Sequence, residues 1–408
     1  MASLKYWLWL TNLRGLSPRQ NFAVLEHFGT PEGVFFADPA EYNLVEGLSK
    51  TSAAALGNKS MSRAEEILET CDRLNVRILT VQDAEYPNRL RELFDPPPVL
   101  YVKGKLPPVD EEVAISVVGS REPTPYGIQV AGEMGLELAR SGALVISGIA
   151  KGIDSAALKG ALSGGGSVIS VLGNGVDVIY PAQNRELYED VASVGALLSE
   201  YAPGTAAAAE HFPIRNRIIS GLSLGTVVVE GSERSGSLIT ARLALEQNRD
   251  VFAVPGNVGA PMSRGPNLLI RRGEAKLVTK AWDVLEDYVS CYPHKIKDVF
   301  AIPDDKKEQR LESVIMDSMP PVKTVSEEEQ KPGDKHILVW KEHSSEYTDD
   351  QRDILLALSD RAKSADEIIE ETQIPARRVF SALTLLQVKG TVTEGGGKRF
   401  SSAVLLKL

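Results

Sequence analysis

Several things are scarce in this sequence, and each scarcity excludes a class of protein. Two cysteines, Cys71 and Cys291, stand in 408 residues, too few for a disulfide framework and consistent with a reducing cytosol. No apolar run is long enough to span a membrane. The leading "MASLKYWLWLTNLRGL" has a short apolar core and no small-residue cleavage site, so no secretory signal and a cytoplasmic location are expected. Five scattered histidines and two distant cysteines give no metal spacing, and no cofactor is expected. Positive charge is also in deficit. A formal net charge of -10 argues against indiscriminate coating of nucleic acid, although it leaves room for a local basic groove.

Catalytic fingerprints are missing as well. There is no G-x-G-x-x-G after the first strand of the central region, no P-loop and no G-x-S-x-G elbow. Asp154, Asp177 and Glu230 fall near strand ends, where acid–base work is conceivable, but helix capping and pairing with nearby arginines are the better account of them. No enzyme activity is expected. A nucleotide-processing enzyme with Glu230 as its carboxylate is the alternative.

What is present reads as a chain of two or three domains with the composition of a soluble globular protein, 43% hydrophobic and 25% charged. Residues 1–80 are expected to be a small helical domain whose Gly-Leu turns, "LRGLSPRQ" and "VEGLSKTS", fit a helix-hairpin-helix or a plain helical bundle. The stretch "EYPNRLRELFDPPPVLYVKGKLPP" carries prolines that forbid a long regular element. Residues 81–290 contain the apolar runs "VAISVVG", "ALVISG", "SVISVL", "GALLSEY", "GTVVVEG", "DVFAVPG" and "AKLVT", with helical stretches between most of them. Continuous apolar strands are buried on both faces, which predicts a doubly wound, mostly parallel α/β sheet. Residues 291–347 read as a mostly irregular linker. Residues 348–408 read as three helices and a hairpin, a winged helix; Asp and Glu equal Lys and Arg there, nine of each, whereas a dedicated duplex reader is basic. A winged-helix transcription regulator is therefore a further alternative, and partner contact or auxiliary DNA contact the preferred one.

Ligands in such sheets bind outside the carboxyl ends of the strands. The loops that follow them hold Gly119, Ser120 and Arg121; Lys151 and Gly152; Arg185; the stretch "FPIRNRIISGLS" with Phe212, Arg215, Asn216 and Arg217; and Arg234, Ser237 and Thr240. Cations, small residues and helix starts at one rim suit an anion.

"VVGSR", "SGIAKGIDSAA", "YP..N..L", "FPIRNRIISGLS", "GSLITARLALEQNRDVFAVPG" and "GPNLLIRRGEAKLVT" together resemble the DNA-processing protein A (DprA/Smf) family, continuously from about Tyr86 to Val289. The resemblance implies a Rossmann-like domain that binds single-stranded DNA, protects incoming strands and loads the RecA recombinase in natural transformation. It also implies a homodimer joined through the α/β domain. By the same resemblance Arg121 contacts phosphate, Phe212 lies against a base, and Arg215, Asn216 and Arg217 build the pocket around it. Asn216 serves equally well as a loop tie, Lys151 as a solvated lysine, and Ser237 and Thr240 as caps. Tyr180-Pro181 is expected to shape a turn. Where the family usually carries a lysine before Phe-Pro, this chain reads "GTAAAAEHFP", with Ala206 to Ala209 in place of any cation.

Overall fold

The structure, a computed structural model, describes residues 2–297, 336–339, 347–395 and 399–407. The chain divides into two compact units, Met1–Pro320 and Pro321–Leu408.

The first unit begins with α1 (Ala2–Thr11), α2 (Pro18–Phe28), α3 (Pro31–Phe36), α4 (Lys50–Leu56) and α5 (Ser62–Arg73). Gly15 and Gly47 take φ of 98° and 78° in the turns ahead of α2 and α4, and Ser17 and Ser49 then cap those helices by accepting from the amides of Gln20 and Ser52. The repeated Gly-Leu-Ser thus sets two helix starts.

A nine-stranded sheet follows: β1 (Arg77–Thr80), β2 (Val99–Gly104), β3 (Ala114–Val118), β4 (Leu144–Ser147), β5 (Val168–Leu172), β6 (Ala196–Ser199), β7 (Gly225–Val228), β8 (Asp250–Ala253) and β9 (Lys276–Leu277). Its order is β1-β2-β6-β5-β4-β3-β7-β8-β9. β3 to β9 pair in parallel, while β1 and β2 are antiparallel additions at one edge. The helices are α6 (Asn88–Arg91), α7 (Pro125–Arg140), α8 (Ile153–Ser163), α9 (Arg185–Val194), α10 (His211–Leu222), α11 (Gly236–Glu246), α12 (Arg264–Arg271) and α13 (Ala281–Leu285). The chain lays β3 to β6 toward one side, then returns past β3 to lay β7 to β9 on the other. That reversal opens a crevice at the strand ends.

Every residue of β3 to β7 is buried, as continuous apolar runs require. One core layer joins Trp7 and Leu8 of the N-terminal helices to Val117, Ile128 and Leu158; the opposite layer joins Leu90, Val118, Ile146, Ile218 and Ala241. The stretch whose prolines forbid a long regular element contains the short strand β2, since "VLYVKG" begins after Pro98 and pairs with β6 before the next prolines arrive.

The second unit holds α14 (Asp349–Ala357), α15 (Ala365–Thr372) and α16 (Ala376–Val388). Strands β11 (Lys363–Ser364), β12 (Val392–Gly395) and β13 (Arg399–Ser402) form a small antiparallel sheet in the order β11-β13-β12, which completes the winged helix. β10 (His336–Val339) pairs in parallel with β14 (Val404–Lys407). β10 lies in the stretch 291–347 read as linker, of which residues 298–335 and 340–346 are outside the described residues, as are Gly396, Gly397 and Lys398 of the wing.

α7 and α8 cross backbone to backbone. A methyl group at Gly135 would fall inside contact distance of the Ala157 carbonyl, and one at Gly160 inside that of the Gly132 carbonyl. Because neither obstacle is a movable side chain, Gly160→Ala should lower unfolding free energy by about 1–3 kcal/mol, the usual cost of overpacking, measurable by denaturant titration.

Candidate nucleic-acid interface

Strand-end loops meet at the crevice, and backbone hydrogen bonds fasten together those after β3, β4 and β7. The Ser120 amide donates to the Glu230 carbonyl at 2.8 Å, joining the loops after β3 and β7, and the Ile153 amide donates to the Ser120 carbonyl at 3.2 Å, joining those after β3 and β4. Gly152 has φ 89°, and a methyl group there would strike the Ser120 carbonyl; glycine is what lets these two loops touch. At Gly119 a methyl group would lie 2.5 Å from Ile153 Cγ1.

Phe212, in the first turn of α10, stands at the centre. The Arg121 guanidinium carbon lies 4.8 Å from its ring centroid. The Tyr180 ring lies 5.6 Å away at 31°, and the Arg215 guanidinium 5.9 Å. Gly173 gives the ring its seat, since a methyl group there would come within 2.9 Å of Phe212 Cδ1. The preceding His211 places Nδ1 2.9 Å from the Gly173 carbonyl and stacks on Tyr201 at 4.1 Å. Phe212 separates two cavities. One, of about 230 Å³, is lined by Arg121, Lys151, Gly173, Asn174, Tyr180 and Tyr188. The other, of about 460 Å³, is lined by Gly119, Ser120, Ala209, Asn216, Ser237 and Thr240 among others.

The cations of the rim divide into exposed and buried. Arg121, Lys151, Arg185 and Arg234 are exposed; Arg121 and Lys151 line the smaller cavity and Arg185 and Arg234 line neither. Arg215 is 3% exposed, and its Nη1 donates to the carbonyls of Gly148, at 3.0 Å, and Val171. Burial lowers its pKa to about 10, opposed by the Asp154 carboxylate, so it stays charged at neutral pH. Asp154 is not an N-cap. It accepts from the Gly148 amide at 3.1 Å, and burial pushes its carboxyl upward while Arg215 pulls it back.

Arg217 departs from the expected rim position. It is 4% exposed and lines neither cavity. It is paired with Asp95 at 3.0 Å and Glu200 at 2.7 Å. The reason is helical geometry: five residues after Phe212, it projects from a different face of α10. Asn216 Nδ2 reaches the Gly236 carbonyl at 3.5 Å, tying α10 to α11. Ser237 and Thr240 are buried, bonded to Ser235 Oγ at 2.6 Å and the Gly236 carbonyl at 3.4 Å. Glu230 gives both oxygens to Thr124, whose amide and hydroxyl donate at 2.8 and 2.6 Å at the start of α7. Among the described residues no group of three or more His, Cys, Asp or Glu is placed to hold a metal, and no helix is long and apolar enough to cross a membrane.

Sequence reading passed over Gly173, Asn174 and Tyr188, and gave Tyr180-Pro181 only a turn-shaping part. The Tyr180-Pro181 bond is cis, as a tight turn uses, and the Tyr180 ring also walls both cavities. The signal available was the glycine directly after a buried strand, where backbone must approach something closely.

The family model described as "DNA recombination-mediator protein A" matches residues 77–289, and that of the DprA winged helix domain matches 341–398. Over 401 residues the chain is 31% identical to Protein Smf of Synechocystis sp., covering 97% of this chain and 98% of that one. This chain belongs to the DprA/Smf family. It is 41% identical to the DNA processing protein DprA of Bacillus subtilis over 238 residues, 58% of this chain and 80% of that one. The X-ray structure of DprA from Streptococcus pneumoniae superposes with a TM-score of 0.59 at 35% identity, covering 69% of this chain and 97% of that one. The sheet, the rim and all thirteen rim positions fall inside the segment from 77 to 289 that the family model matches.

Arg217→Ala should leave Asp95 and Glu200 without their cation and cost about 3–5 kcal/mol, the range for breaking a buried pair. Chemical denaturation reads it directly.

Proposed function

We propose that this protein binds single-stranded DNA along the strand-end rim, with Phe212 against a base and Arg121 and Lys151 on the phosphates. The observation that carries the reading is the aromatic ring set among the strand-end loops, with a guanidinium over it and helices α7, α8, α10 and α11 starting around it. A duplex keeps its bases stacked inside, so a ring set among loops is reached only by an unpaired base. Stacking of this kind is worth ~1–3 kcal/mol per base and tolerates any sequence; the cations add a salt-dependent share. Helix N-termini favour the phosphates further. Gly119, Gly152, Ser237 and Thr240 shape the walls, Arg215 the floor, Asn216 the tie between α10 and α11. Arg185 is an outlying cation, and Arg217 acts through the scaffold.

The engagement of Glu230 with Thr124 favours binding over nucleotide processing, since that carboxylate is occupied in capping. In the winged helix, Arg378 pairs with Asp350 at 2.7 Å and Arg399 with Glu367 at 2.9 Å, while Phe380 and Leu385 of α16 are exposed. Cations so engaged favour partner contact or auxiliary DNA contact over operator reading. Family resemblance supports the finer proposal, a cytoplasmic homodimer joined through the α/β domain that protects incoming strands and loads the RecA recombinase. We assign these tasks to segments with boundaries near residues 80, 290 and 347.

Binding should favour single-stranded over blunt duplex oligonucleotides at equal salt, with little sequence dependence; equal or tighter duplex binding in a gel-shift contradicts the proposal. Arg121→Ala should weaken binding and reduce the slope of log K against log salt by about 0.7, whereas Phe212→Ala should weaken it at nearly constant slope. Equal changes of slope in the two variants would reverse the assigned roles.

Ala207 and Ala209 line the larger cavity, so a lysine at 209 would stand beside a bound strand. Ala209→Lys should tighten binding by about 1 kcal/mol or less and lose that gain at high salt. Unchanged affinity at low salt would remove this loop from the interface.

A further inference from the structure

Helix α2 presents one face to solvent. Asn21, Val24 and Leu25 turn inward and are buried, while Arg19, Phe22 and Glu26 are exposed and Ala23 half-buried among them. Their spacing, i, i+3, i+4 and i+7, puts these four in one stripe along two turns. The stripe walls an open groove of about 1040 Å³, whose other walls include Val45, Glu46, Gly47 and Phe94. Phe22 is 36% exposed and Phe94 76%, so two aromatic rings stand bare there. Phe94 also holds Arg19 at the end of the stripe, the guanidinium carbon lying 5.2 Å from its ring. Among the described residues neither Arg19 nor Glu26 has an ion-pair partner. The two charges are opposite in sign and evenly placed. Each lies three and a half residues, about 5 Å along the axis, from the midpoint between Phe22 and Ala23.

We propose that this face docks on the same face of a second copy of this chain, α2 lying antiparallel to α2 about a two-fold axis through that midpoint. The rotation carries each Arg19 to the partner's Glu26 and sets Phe22 and Ala23 beside the axis. The small alanine lets the two helices approach to the ~8–10 Å of packed helices. A nucleic-acid strand suits the groove poorly, because Glu26 and Glu46 outnumber Arg19 on its walls and phosphates need the reverse. The face is smaller than a standard interface, so the association is weak, in the range ~10–100 μM. It is separate from the α/β face of the homodimer proposed above. Two different two-fold contacts on one chain would link dimers into larger assemblies. The inference rests neither on that homodimer nor on the rim binding DNA.

The test is sedimentation velocity of the full chain without DNA, across ~1–200 μM protein in ~50 mM salt, where charges in contact are little screened. Wild type, Arg19→Glu, Glu26→Arg and the double variant Arg19→Glu/Glu26→Arg are compared. The substituted positions are exposed, so all four proteins should fold alike, and the α/β face is the same in each. The weight-average sedimentation coefficient of the wild type should rise with concentration. Each single variant sets like charges opposite one another and should need at least about tenfold more protein for the same rise, 1.4 kcal/mol. The double variant should regain the wild-type curve. A 1:1 mixture of the two single variants should regain it as well, since each supplies the sign that the other lacks. A flat wild-type curve, one curve shared by all four proteins, or no recovery in the double variant overturns the proposal. If a single-stranded oligonucleotide slows hydrogen exchange over residues 19–26 in dilute protein, the face belongs to DNA, which overturns it likewise.

Discussion

The rim rests on one buried cation. Arg215 sits beneath Phe212 and donates to carbonyls at the ends of two neighbouring strands, Gly148 after β4 and Val171 in β5. Taking a guanidinium out of water is expensive unless it is paired and hydrogen-bonded. Asp154 supplies the charge and the two carbonyls supply the hydrogen bonds. The same Asp154 accepts from the Gly148 amide, so the β4 loop is gripped through both its N–H and its C=O. Glycine is demanded at 148, because any Cβ there would run into the guanidinium. The loops, the seat for Phe212 at Gly173 and the two cavities all stand on this arrangement.

A consequence is a division of labour among the arginines of one short stretch. An acidic chain concentrates cations at this helix start for two unlike purposes. Arg215 neutralises and stitches the floor, and Arg217 neutralises Asp95 and Glu200 on another face. Of the exposed rim cations, Arg121 and Lys151 line the smaller cavity, and both come from other loops. Arg121 lies over the Phe212 ring, so the ring and its neighbouring cation are already in contact before any strand arrives.

Much of the fold was legible because burial leaves a plain mark. Seven apolar runs became β3 to β9, all parallel; β3 to β7 are covered on both faces and have no polar alternation to hide them, whereas the two residues of the edge strand β9 are exposed. β2 was obscured by the prolines on either side, and β10 by the charged residues around its short apolar run. The rim positions were legible as residues after strands, together with the motifs of the family. The direction of each side chain was not, yet part of it follows from helical spacing. Phe212, Arg215 and Asn216 stand at i, i+3 and i+4 and share a face, whereas Arg217 at i+5 does not. Gly173 and Gly148 escaped notice because their contribution is the space they leave, and their contacts come from residues far away in the chain.

The claim on which everything else turns is that an unpaired base lies against Phe212. Photocrosslinking with an oligonucleotide carrying 5-iodouracil, followed by peptide mapping, tests it most directly, because that base couples to an aromatic ring in stacking contact. Adducts on Phe212 or on its neighbour Tyr180 are predicted, and they should vanish when unlabelled single strand is added in excess. Adducts confined to the winged-helix unit, or to residues away from the strand-end loops, would contradict the claim.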